Sequence, residues 1–62
     1  MFVLFIRQPT NQAVIFEVES KKEAEKLLVK SDYNLIAGYS ENRLELESLR
    51  LEKYPEKQRS KL

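Results

Sequence analysis

Two pairs of carboxylates, Glu17 with Glu19 and Glu45 with Glu47, have the spacing in this sequence closest to a chemical device. On an extended strand, residues two apart share a face and lie about 6.5–7 Å from one another. That separation suits a hard divalent cation or paired acid–base work. Each pair also falls where a half-buried strand requires polar residues on its solvent side, so a solvated face is the simpler expectation. The rest of the composition points the same way. The chain has no histidine and no cysteine, and so lacks the usual general base at neutral pH, a thiol nucleophile and the preferred ligands of zinc. Its one glycine cannot build a phosphate-cradling loop. Ser20, Ser31, Ser40, Ser48 and Ser60 have no imidazole to activate them. A protein that is not an enzyme, with no cofactor and no metal, is expected.

The 62 residues carry 11 basic and 10 acidic side chains, but unevenly. Lys53, Lys57, Arg59 and Lys61 face only Glu56 in the last ten residues, which leaves seven basic and nine acidic residues in 1–52. A basic end joined to a slightly acidic body allows an alternative reading. Lys53, Lys57, Arg59 and Lys61, with Lys22 and Lys26, would neutralise phosphates, and Tyr33, Tyr39 or Phe5 would stack on bases. The acidic body opposes that reading, and a solubilising tail accounts for the same residues.

The elements that position these groups can be read in order. Phe2 to Ile6 is a continuous apolar run of β-forming residues, too short for a helix, and reads as a strand buried on both faces. Pro9 and Asn11 mark a turn. Residues 13–19 then alternate, with Val14, Phe16 and Val18 on one side and Ala13, Ile15, Glu17 and Glu19 on the other. Together these segments predict a β-hairpin. Ser20 and Glu23 form a capping box ahead of Ala24, Leu27 and Leu28, which predicts an amphipathic helix ending near Lys30 or Ser31. Residues 35–39 predict a third strand, in which Gly38 marks a bulge or a close backbone approach.

Residues 43–54 are composed of helix-favouring types, and Asn42 with Glu45 offers a second capping box. Helical winding, however, would put Leu44, Leu51 and Tyr54 on one side and Leu46 and Leu49 on the other. A small domain has little use for two apolar helix faces, so a fourth strand with a bulge at Ser48 is expected. The sum is an α+β fold in ββαββ order. It has an antiparallel-rich sheet with one helix on one face, a single domain over 1–54 and a basic tail over 55–62.

That fold leaves a face without a lid. Phe2, Leu4 and Ile6 match the helix stripe, so Val3 and Phe5, extended by Ala13 and Ile15, would lie uncovered. An uncovered apolar patch on so small a core calls for another chain. A protein–protein interaction module is therefore expected, self-associating as a homo-oligomer through an apolar sheet face or edge, with Val3, Phe5, Ala13 and Ile15 as its contacts. The apolar start at Met1–Ile6 is too short for a signal segment and lacks a basic lead. No stretch is long enough to span a membrane, and a cytoplasmic protein is expected. Replacing the helix cap, Ser20→Ala, should lower stability by about 0.5–2 kcal/mol, seen as a lower urea midpoint.

Overall fold

The computed structural model describes residues 1–55. Strand β1 spans Phe2–Arg7 and β2 spans Gln12–Glu17, followed by helix α1 over Lys21–Lys30, strand β3 over Leu35–Ser40 and helix α2 over Arg43–Lys53. The three strands form one antiparallel sheet in the order β2-β1-β3. The fold is α+β, but the element order is ββαβα and there are two helices among the described residues. No helix among them is long and apolar enough to cross a membrane.

The hairpin follows from its turn. Asn11 takes the left-handed backbone that few other residues tolerate, with φ 64°, and its amide donates to the Arg7 carbonyl at 2.8 Å. The register then places Leu4 opposite Ile15 and Phe5 opposite Val14. Helix α1 begins at the expected Ser20 cap, but the returning carboxylate bond falls on the Glu19 amide rather than on that of Ser20. The Glu23 amide donates to Ser20 Oγ at 3.2 Å, and Glu23 Oε1 reaches back to accept from the Glu19 amide at 2.6 Å.

Residues 43–53 are helical, which corrects the fourth strand. Local chemistry is satisfied at the helix start. Asn42 Oδ1 accepts from the Leu44 amide at 3.0 Å, and the Asn42 amide donates to Ser40 Oγ at 2.9 Å. Ser40 Oγ in turn donates to Glu45 Oε1 at 2.6 Å. Glu45 thus bonds the serine rather than closing the expected box on Asn42. Helix propensity prevails because α2 needs only Leu46 and Leu49 against the sheet, while Leu44 and Leu51 stay 71% and 65% exposed. Leu44 and Leu51 do form a second apolar side, but Tyr54, expected beside them, packs with Leu46 and Leu49 against the core.

The second helix also corrects the uncovered face. Val3 and Phe5 are fully buried with Val18 and Ala24, on the side where Leu27 and Leu28 of α1 pack. Leu4 and Ile6 are fully buried on the other side with Leu46 of α2. The first helix therefore covers the set that was expected to lie bare. Ala13 and Ile15 belong with Leu4 and Ile6 rather than with Val3 and Phe5. Directly paired residues of antiparallel strands share a face, and their partners are Ile6 and Leu4.

Gly38 meets both readings of a strand glycine. The β1–β3 register shifts between Leu4, paired with Gly38, and Phe5, paired with Ile36. A Cβ at Gly38 would also lie 3.3 Å from Leu49 Cδ2, so α2 sits close over this strand. With both faces of β1 packed within one chain, Phe5→Ala should cost about 3–5 kcal/mol and Leu46→Ala about 2–5 kcal/mol. Denaturant titration of the two variants checks this.

Candidate interaction surface

β2 is an edge strand, and its free side can be assigned atom by atom. The Val18 amide donates to the Met1 carbonyl at 2.8 Å, and the Met1 amine donates to the Val18 carbonyl at 3.2 Å. In an antiparallel ladder such doubly bonded pairs alternate with unbonded ones. Phe16, Val14 and Gln12 thus turn their main-chain groups towards β1. Ala13, Ile15 and Glu17 turn theirs away from it, to the open side of the sheet. The β1–β3 side agrees, because the Asn34 amide donates to the Ile6 carbonyl at 3.1 Å, in phase with outward groups on Phe2 and Leu4.

The two faces beside this edge differ. On the α1 face, Phe16 packs its ring against Phe5 in an edge-on contact, with centroids 5.4 Å apart and planes at 66°. Its far side is open, and 38% of Phe16 is exposed. Helix α1 leans towards β3, where Lys21 Nζ lies 5.1 Å from the centre of the Tyr39 ring, so it does not roof the β2 margin. On the α2 face, a groove of about 330 Å³ runs between strand and helix, lined by Ala13, Val14, Ile15, Arg43, Glu47 and Arg50. Arg43 Nε pairs with Glu47 Oε2 at 3.3 Å. Half-buried Arg50 has no ion-pair partner among the described residues. The opposite flank of α2 carries Glu45 and Glu52 beside β3.

The residues expected at an interface separate accordingly. Val3 and Phe5 are core residues and present nothing to a partner. Ala13 and Ile15 are half-buried and lie on the open edge. Phe16 and Arg50 were not singled out from the sequence, and Glu17 stood out there only as half of a carboxylate pair. Alternation alone shows which side chains share a face, but not which strand stands at the margin.

Among the described residues, the candidate phosphate contacts are not gathered into one surface. Exposed Lys22 and Lys26 lie on α1, and exposed Lys53 lies on α2 across the sheet. Lys57, Arg59 and Lys61 lie outside the described residues. Phe5 is buried, and Tyr33 and Tyr39 pack partly against the core, so none of the three is a free stacking platform. Glu45 and Glu47, two apart on a helix, diverge instead of sharing a face.

Compared with family models, curated proteins and solved structures, the chain matches none of them.

Leu44 and Leu51, one heptad apart on the solvent side of α2, are spectators of folding. Leu44→Ser and Leu51→Ser should each change stability by no more than about 0.5 kcal/mol, whereas Leu49→Ser on the sheet side should be clearly destabilising. Thermal melts of the three variants distinguish the two sides of the helix.

Proposed function

We propose that this chain is a non-catalytic protein–protein interaction module that works by strand addition at β2. A partner strand laid along this edge would pair with the outward amides and carbonyls of Ala13, Ile15 and Glu17, the basis of β-augmentation. The observation that carries this reading is the conjunction of that outward row with half-open Phe16 on one face and, on the other, a groove that holds Arg50 beside the Arg43–Glu47 pair. Main-chain pairing supplies affinity at such an edge, and flanking side chains select the partner. Among the described residues the edge lacks three common protections. Between Gln12 and Glu17 there is no proline and no lysine, and the β1–β2 register runs without a bulge.

A library of extended peptides selected against the parent tests this reading. Selected binders should shift the amide resonances of Ala13, Ile15 and Glu17. Their binding should be lost in Ala13→Pro, a substitution that removes an outward donor while leaving the β1 ladder intact. Binders that persist on Ala13→Pro, or that map to α2, overturn strand addition. Titration with a mixed oligonucleotide at two salt concentrations addresses the alternative. Strong salt-dependent binding would move the function to the basic residues.

A further inference from the structure

We propose that the strand added at β2 is the β2 of a second copy of this chain, paired antiparallel about a two-fold axis through Ile15. This rests on the strand-addition reading and names its partner. Each three-stranded sheet would become half of a continuous six-stranded one.

The register follows from which main-chain groups are free. With the axis through Ile15, Ala13 faces the partner's Glu17 and Ile15 faces its own counterpart. All three outward residues of each strand then take part in the new ladder. Moving the axis to Val14 would set Glu17 opposite the partner's Asn11, whose left-handed backbone lies in the turn and cannot continue a ladder. Moving it to Phe16 would set Ala13 opposite the partner's Glu19, beyond the end of β2. Only the Ile15 register uses the whole edge.

Both faces gain a match in that register. On the α1 face Val14 lies opposite the partner's Phe16, and the reverse contact is made across the axis. Phe16 thus acquires a β-branched neighbour on the side now open, a favourable cross-strand combination. On the α2 face, the partner's Glu17 arrives opposite Ala13, in the groove that holds Arg50 and, further along and paired with Arg43, Glu47. The direction of α2 places the charge. The helix starts beside Ser40, which pairs with Phe2, itself opposite Glu17. It ends beside the turn, where Asn11 Nδ2 donates to the Pro55 carbonyl at 2.9 Å. Arg43 therefore lies towards the Glu17 end of the chain's own β2, and Arg50 towards Ala13. Each interface joins two Glu17–Arg50 pairs, one on either side of the axis, and the two Glu17 side chains stay well apart.

Sedimentation of the full chain from micromolar to millimolar concentration tests this. The parent should form a dimer, with hydrogen exchange at Ala13, Ile15 and Glu17 slowing as the dimer fills. Glu17→Arg and Arg50→Glu should each weaken it by about tenfold or more through like-charge contact. The two changes in one chain should restore most of the affinity, because each interface again pairs opposite charges. Both residues lie outside the buried core, so circular dichroism of the single variants should match the parent. A parent that stays monomeric throughout overturns the second-copy partner, as does a double variant no tighter than the single ones. A dimer that tolerates Ala13→Pro but is lost on Leu44→Ser with Leu51→Ser places the contact on α2 and overturns it as well. If edge-specific peptides are selected against a monomeric parent, strand addition stands and only the identity of the partner falls. Absence of both the dimer and such peptides removes both.

Discussion

β1 sits in the middle of the sheet with Val3, Leu4, Phe5 and Ile6 all withdrawn from water. Because neighbouring side chains of a strand point to opposite faces, such a run needs an apolar lid on each side. The other elements are arranged around that need. β2 and β3 flank the strand and satisfy its main chain, α1 closes the Val3–Phe5 side, and α2 closes the Leu4–Ile6 side. Gly38 belongs to the same requirement, since the close approach of Leu49 lets α2 settle onto the sheet.

Putting the most apolar strand at the centre leaves the other two as edges. A chain of 62 residues without cysteine has few means of stiffening or masking its margins. The two helices among the described residues are both committed to the sheet faces, one above and one below. The β2 margin is consequently the place where main-chain groups, a half-covered aromatic ring and charged side chains meet. An interaction module of the proposed kind would need no pocket. Specificity would lie in the register and in the charges beside the strand.

The same two-faced layout explains why Lys22, Lys26 and Lys53, the described members of the basic set, do not form one field. α1 and α2 are separated by the sheet, so Lys22 and Lys26 face away from Lys53. Acidic and basic residues are interleaved on both helices, and on α2 Arg43, Glu47 and Arg50 lie towards β2 while Glu45 and Glu52 lie towards β3.

Local signals in the sequence determined much of the secondary structure. The apolar run of β1, the Asn11 turn, the alternation of β2, the Ser20–Glu23 box and the glycine of β3 each act over a few residues, and each element formed where its signal lies. The helical nature of residues 43–53 was also written locally, in residue types and in Asn42, yet the apolar pattern argued for a strand. That conflict was resolved only by packing, because Leu46 and Leu49 are enough to seal the second face and Leu44 and Leu51 can remain in water. Tertiary structure alone decided which helix covers which face. That depends on strand order and on the hand of each connection, neither of which leaves a mark on the residues themselves. It also decided the candidate site. Val3 and Phe5 are as apolar as any contact residue and became core, whereas Ala13, Ile15, Phe16 and Glu17 became a surface because the strand that carries them has a neighbour on one side only.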